Sequence, residues 1–569
     1  MKKGILIISA SILIYLNACN SKTSADKTAI ATDSSSIASG ETTFMQDCSS
    51  CHGFTQDGIG PQLGGLTSAV SVGWIKNFIH DPKAWIESGD ERSSQLHEKY
   101  KTFMPPFSHY TEDKIDALIA FLNTKEAPDP VKERLDPNAL KNPIPEPIPM
   151  SDLVVNLELV TQIPPSSKEE PSTRIAKLDY QPNADKLFVM DLRGKLYHLT
   201  GNQPVIYLDI AKLKPKFIHQ PGLATGFGSF AFHPEFAKNG ILYTTHTESP
   251  GSGKADFDYA DSIKVTLQWV LSEWKTKQPG AIPFTGESRE LFRVNMVTGI
   301  HGMQEITFNS LAKPGDEDYG LLYIGIGDGG SAETGYPFLC HSTEKIWGTV
   351  LRIDPTGSNS TNGHYGIPSK NPFANTDNPK TYKEIFAYGF RNPHRITWSK
   401  AGVMLVSNIG HHKVESLYMI QPGLDSGWPI REGTFVIDPS QNMHNIYPLP
   451  PDDAKYNFNY PVAEYDHDEG NAIAGGFEYS GKAIPQLAGK FLFGDIVKGR
   501  LFYVEMKDLK LGSQAIIREL QISIDGTRKT LVELCGADKV DERFGRDRHG
   551  ELYITTKPDG KIYKVVGAK

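Results

Sequence analysis

From about residue 153 to 567, short runs of apolar, aromatic and β-branched residues recur between turn signals: KLFVMDLRGKLYHLTG, NGILYTTHTE, LLYIGIGDGG, GKFLFGD, GRLFYVE and DGKIYKVV. The shared form is a Gly-containing turn followed by alternation with period two. That period puts every second side chain on one face of a strand, and its repetition is a series of hairpins. No comparable stretch alternates strand with long helix, which disfavours a parallel α/β sheet. About 415 residues of four-stranded antiparallel units predict a six-bladed β-propeller at roughly 65–70 residues per blade.

The N-terminal quarter has a different period. Ile115, Leu118, Ile119 and Leu122 follow Thr111 at helical spacing, and Trp74 to Ile86 also reads as helix. Between the two textures lies a proline-rich segment, KNPIPEPIPM, which predicts an extended, semi-rigid spacer. At the start, Lys2 and Lys3 precede an apolar run from Ile5 to Leu16, too short to span a bilayer of roughly 30 Å. Leu16-Asn17-Ala18-Cys19 resembles the bacterial lipobox, which predicts cleavage before Cys19 and lipidation of its thiol. The predicted organisation is a signal peptide at 1–18, a flexible tether at 19–40, a small all-α domain at 41–126, a linker at 127–152 and the mostly β propeller at 153–569. The expected location is outside the cytoplasm, periplasmic or on the cell surface, with the lipid in a bacterial membrane.

The chain of 569 residues is 39 % hydrophobic and 22 % charged, ordinary for folded protein. Its net charge of −8 gives no bulk attraction for polyphosphate, so nucleic-acid binding is not expected. Five cysteines are too few for a disulfide scaffold. Cys340 and Cys535 have no evident chemistry, and the sequence leaves open a disulfide between them or two separate buried thiols.

Cys48-Ser49-Ser50-Cys51-His52 is the attachment motif of c-type haem. Two thiols three positions apart reach both vinyl groups, and the adjacent His52 faces the iron. The surroundings of the motif resemble class I cytochromes c. Gly60-Pro61 matches the segment whose proline carbonyl holds the proximal histidine, and Phe103-Met104-Pro105-Pro106-Phe107 matches the loop delivering the axial methionine. Met45 is a rival ligand but lies too close to the motif. Methionine–histidine ligation raises the reduction potential, so this domain is expected to pass single electrons.

The β region contains SFAFHPEF at Ser229 to Phe236, YIGIGDGG at Tyr323 to Gly330, WGTVLRIDP at Trp347 to Pro355, YGFRNP at Tyr388 to Pro393, Gly427-Trp428-Pro429 and AGGFEYSGKAIPQLAGKFLFGDIVKGR from Ala474. In this order they resemble the glucose/sorbosone dehydrogenases, propellers that include aldose dehydrogenases using pyrroloquinoline quinone (PQQ) and Ca²⁺. The resemblance implies His301 as catalytic base, Asp328 as the acid that orients it, and Arg391, Asn392 and Arg543 as quinone contacts. It further implies Gly410 and His411 as main-chain ligands of Ca²⁺. The same residues also have plain structural readings: a loop histidine, a Gly-Asp-Gly turn and an arginine capping strand ends. The chain departs from the family pattern at Gly302-Met303-Gln304-Glu305, at Ala224-Thr225-Gly226-Phe227, at Val497 where the family has lysine (Lys498 is next), and at Glu542-Arg543-Phe544-Gly545-Arg546. The expectation is a membrane-anchored oxidoreductase that oxidises an aldose or related alcohol through PQQ and passes electrons to the haem, then to a downstream acceptor. The alternative is a propeller that recognises glycan or protein beside an electron-transfer cytochrome.

Overall fold

The computed structural model describes residues 30–49, 51–54, 57, 60–100, 104–128, 136–168, 170–220, 224–537 and 539–569. The signal sequence, Cys19, the first part of the tether, Phe103 and linker residues 129–135 lie outside the described residues.

The small domain is helical, with Ser34–Thr43 running into a π turn at Phe44–Cys48, then Val72–His80, Pro82–Glu87, Glu91–Tyr100 and Glu112–Leu122. Thr111 caps the last helix by accepting the Lys114 N–H at 3.3 Å, and Ile115, Leu118, Ile119 and Leu122 are buried as their spacing predicts. Two expectations are corrected. The end of the predicted tether is helix: Asp33 caps it by accepting the Ser36 N–H at 2.9 Å. Gly40 lies so close to the last helix that a Cβ there would come within 1.8 Å of the Ala117 carbonyl oxygen. The helix expected over 74–86 is two helices, because Asp81 leaves the helical conformation and caps the second, which begins with Pro82.

The linker is pinned. The Leu140 N–H donates to the Ile446 carbonyl at 2.9 Å, the Ile144 N–H to Asp466 at 3.0 Å and the Ile148 N–H to Glu469 at 3.2 Å. Its prolines cannot donate, so the interspersed residues make the attachments.

The remaining chain forms six four-stranded antiparallel sets at residues 175–209, 227–296, 305–388, 393–466, 473–524 and 543–568, the last completed by the strand Met150–Gln162. That strand pairs antiparallel with Lys561–Ala568 and parallel with Arg518–Ile524, which joins the last two sets into one sheet. From the second set onward the first strands of neighbouring sets touch in sequence, Leu187–Asp191 of the first set meets Phe227–Phe232, and Ile175–Tyr180 meets Arg543–Arg546, so the ring closes as a propeller. Closure leaves few free sheet edges. A three-stranded sheet, Arg431–Glu432, Phe435–Ile437 and Ile446–Tyr447, is inserted within the fourth set. Aromatic clusters fill the spaces between sets, while the ring's centre is polar: Lys177 Nζ donates to Glu305 at 2.5 Å and to the Ile306 carbonyl at 2.9 Å.

Candidate active site and haem cavity

In the helical domain, Cys48, Cys51, His52 and Met104 share the wall of one largely apolar cavity with Phe78 and Leu118. His52 Nδ1 lies 2.7 Å from the Pro61 carbonyl, the bond expected from the sequence, which leaves Nε2 as the ligand nitrogen. Gly60 makes room for the ring, since a Cβ there would sit 2.6 Å from His52 Cε1. Thiols, imidazole, thioether and apolar walls fit a covalently held haem.

In the propeller, one loop supplies His301 and the turn after the strand Leu322–Ile326 supplies Asp328. His301 adopts φ +54°, a strained conformation for a residue with a side chain. Gly327 permits the approach of the two segments, because a Cβ there would meet the His301 carbonyl at 2.3 Å. His301 Nδ1 lies 2.7 Å from Asp328 Oδ1. The carboxylate also accepts the Gly330 N–H at 2.9 Å and the Trp428 Nε1–H at 2.9 Å. Nδ1 is therefore the protonated nitrogen of a neutral ring, and Nε2 is the free base. Burial, and next the Arg391 charge, hold the imidazole below its ordinary value despite Asp328. Sequence and structure agree in bringing these two residues together. Trp428, quoted in the sequence only as part of a motif, is the third partner.

The residues expected to hold PQQ and calcium are placed differently. The Arg391 Nε donates to Glu333 at 3.0 Å, its Nη2 also pairs with Glu333, and its Nη1 donates to the Gly410 carbonyl. Burial pushes the Glu333 carboxyl up, but Arg391 and then His411 outweigh it and hold it well below the carboxylate range. Asn392 donates its N–H to Asn408 at 2.9 Å and its side-chain amide to Gln304 at 3.4 Å. Arg543 pairs with Asp541 at 2.7 Å, and Lys557 pairs with the same carboxylate. Glu542 is fully buried with neither oxygen partnered, and burial, reinforced by Asp495, raises it well above its ordinary value. Lys498 turns away and donates to the Asp468 carbonyl at 2.6 Å. The quinone that the resemblance implies carries three carboxylates and would need free cations, and the Ca²⁺ it implies would need the Gly410 carbonyl. Here Glu333 already neutralises Arg391, whose guanidinium occupies that carbonyl, and the buried, unpartnered Glu542 stands next to Arg543. The donor set does not fit PQQ with calcium as arranged.

Sequence reasoning missed Glu333, which lies in an SAETG loop without periodicity and meets Arg391 only through folding. It also missed Glu432, whose Oε1 accepts the N–H groups of His411, His412, Lys413 and Val414 at 2.8, 3.0, 2.9 and 3.0 Å. This carboxylate shapes the loop carrying Gly410 and His411. His411 Nδ1 lies 3.1 Å from Glu333, and its ring centre is 5.9 Å from that of Trp428. The loop therefore adjoins the His301 site. Cys340 and Cys535 are not bonded to each other, and Cys340 is buried.

The helical domain touches this end of the propeller. His444, in the inserted three-stranded segment, lies beside Asp57 of the segment that follows the haem-attachment motif. Lys264 and Glu41 form a second contact at 3.9 Å. Among the described residues no helix is long and apolar enough to cross a membrane.

Comparison with known proteins places both parts. The model for "Glucose / Sorbosone dehydrogenase" matches residues 174–528 and that for cytochrome c matches residues 37–126. The chain is 24 % identical over 399 residues to the human Hedgehog-interacting protein, covering 68 % of this chain and 50 % of that protein. It is 23 % identical over 230 residues to quinoprotein glucose dehydrogenase B of Acinetobacter calcoaceticus, covering 38 % of this chain and 42 % of that one. The chain spans about half the length of the curated relatives it matches. A solved structure, the soluble aldose sugar dehydrogenase of Escherichia coli in its apo form, superposes with a TM-score of 0.51 over 73 % of this chain and 99 % of that one, at 17 % identity, a likeness of fold. With the family match running through most of the propeller and the cytochrome c match through the helical domain, this chain belongs to the glucose/sorbosone dehydrogenase family and carries a cytochrome c on its N-terminal side.

Proposed function

We propose that the chain is a sugar-directed oxidoreductase in which a substrate hydroxyl loses its proton to His301, the hydride on the same carbon goes to a two-electron acceptor supplied to the site, and that acceptor passes the electrons one at a time to the haem on Cys48 and Cys51. The observation that carries this reading is the His301–Asp328–Trp428 arrangement: a buried neutral imidazole, its tautomer fixed at 2.7 Å by a carboxylate that is itself held by two further donors. A hydroxyl docked against Nε2 transfers its proton to a ring whose positive charge Asp328 then stabilises. Haem, when bound, supplies one-electron exchange. There Cys48 and Cys51 would hold the haem through thioether bonds, and His52 and Met104 would supply the iron with a nitrogen and a sulfur ligand. The nearness of Asp57 to His444 and the Lys264–Glu41 pair at 3.9 Å support transfer between the two parts, because they place the haem domain against the propeller near His301. The lipobox at Cys19 supports export and a lipid anchor in a bacterial membrane, with a further carrier taking the electrons.

The assay is sugar-dependent haem reduction. Haem-loaded, oxidised protein is offered aldoses and simple alcohols one at a time, with and without PQQ and Ca²⁺, while the reduced c-type absorption is followed. Reduction that requires His301 supports the reading. The arm with quinone tests whether Glu333 yields Arg391 to it. A second reading rests on the Arg391–Glu333 pair and the buried Glu542: a propeller whose cofactor cradle is closed and which recognises glycan or protein. It gains if no sugar or alcohol reduces a haem that dithionite reduces.

A further inference from the structure

The insertion in the fourth set and the loop after Gly410 bring three imidazoles together, His411, His412 and His444. Each offers one nitrogen, and the three nitrogens lie within 4.8 Å of one another. The ring centres are 4.2 Å apart for His411 and His412, 3.8 Å for His412 and His444, and 5.9 Å for His411 and His444. Two of the rings share a telling feature. His411 points Nδ1 at Glu333 (3.1 Å), and its Nε2 is buried without a partner. His444 lies beside Asp57, and its Nε2 is likewise buried without a partner. A ring held by an oxygen on one nitrogen and bare on the other, as His411 is, has the tautomer of a metal-bound imidazole, and the oxygen acceptor behind it strengthens the ligand. The His411 side chain is only 2 % exposed, so water does not serve its bare nitrogen freely. His412 and His444 are partly exposed and leave an entry path.

We propose that His411, His412 and His444 form a binding site for a divalent first-row transition metal of the zinc class, held through Nε2 of His411 and His444 and one nitrogen of His412. Imidazole nitrogens suit zinc or copper and not calcium or magnesium, which take oxygen ligands. Bonds of about 2.0–2.1 Å require the three nitrogens, now within 4.8 Å of one another, to draw closer and the stacked His412 and His444 rings to turn, and three ligands leave a fourth tetrahedral position open. The site differs in kind from the calcium site that the family resemblance implies, which uses main-chain carbonyls. It stands whether or not the propeller oxidises sugar. The ion ties the inserted segment, with Asp57 beside His444, to the loop gathered by Glu432.

The test uses full-length, haem-loaded protein without an affinity tag, stripped with a chelator and titrated with Zn²⁺ and Co²⁺. One zinc per chain is expected, with visible Co²⁺ absorption of four-coordinate intensity. His444→Ala and His412→Gln are expected to weaken binding at least 10-fold, and Glu333→Gln by about 10-fold through His411. Substoichiometric zinc on the wild type, or His444→Ala binding as tightly as wild type, overturns the proposal. Should the variants not fold, Cu²⁺ paramagnetic resonance of the wild type decides: three coupled nitrogens are expected, and fewer than three overturn it.

Discussion

Replacing Glu432 with alanine removes the acceptor that gathers four consecutive main-chain N–H groups, those of residues 411–414, at 2.8–3.0 Å. One carboxylate oxygen has two lone pairs, so four donors share it and count as about two full charge-assisted bonds. At about 1.5–3 kcal/mol each, the loss is about 3–6 kcal/mol. Glu432→Gln keeps an oxygen acceptor without the charge, and charged acceptors are roughly twice as strong as neutral ones, so about half of that loss is expected. Global unfolding of a two-part protein is a blunt readout, and the sharper assay is hydrogen exchange with residue resolution. Each 1.4 kcal/mol is tenfold, so the amides of 411–414 in Glu432→Ala are expected to exchange about 10²–10⁴-fold faster, with Glu432→Gln in between. Loosening this loop also frees Gly410 and His411, so Glu333 loses the His411 partner and its hold on Arg391 slackens. If the four amides in Glu432→Ala exchange within threefold of wild type, the carboxylate does not organise the loop and the reasoning fails.

Asp328→Asn leaves His301 free to take the other tautomer, and sugar-dependent haem reduction is expected to fall about 10³–10⁴-fold with the dithionite-reduced spectrum unchanged; full activity refutes the orienting role. Burial and then Arg391 hold the His301 imidazole below 6.5, so the base is unprotonated through neutral pH. As pH drops the rate is expected to fall with an inflection below 6.5, with Arg391→Met moving it up; an inflection above 6.5 in the wild type contradicts this. Burial, against the Thr434 hydrogen bonds, pushes the Glu464 carboxyl up to about 7 from 4.5. The folded state thus binds the extra proton between those values, and stability is expected to fall by about 3 kcal/mol as pH rises from 4.5 to above 7, a slope that Glu464→Gln flattens in urea unfolding at several pH values. Met104→His is expected to lower the haem midpoint potential by on the order of 100 mV or more in redox titration, and an unchanged potential removes Met104 as the axial ligand.

What could be read in the chain beforehand follows the range of the interactions. The Cys48–His52 motif is legible because its chemistry is written in five consecutive residues. The strand texture is legible because alternation is local, and so are the buried positions of the Glu112–Leu122 helix. The His301–Asp328 pair is legible only through resemblance, since nothing local in Gly-Ile-His-Gly marks a base. Ser34–Thr43 reads as tether by its Ser, Thr and Gly content. It is helix because Gly40 fits against Ala117, a contact no local pattern announces. The linker's prolines do indicate an extended chain, yet its attachment to Asp466 and Glu469 depends on residues over 300 positions away. Glu333 is the plainest case: its partner Arg391 is 58 residues on, and their union, invisible in the motifs, decides whether the cradle fits its expected cofactor.

The strand Met150–Gln162 enters the ring directly from the linker and is paired along both edges. A pull on the chain ahead of Met150 runs along this strand, so its ladder bonds resist in shear, together, and do not unzip one at a time. The Leu140, Ile144 and Ile148 attachments take the load first. The haem domain can therefore be tugged, or even unravel, while the seam of the ring holds.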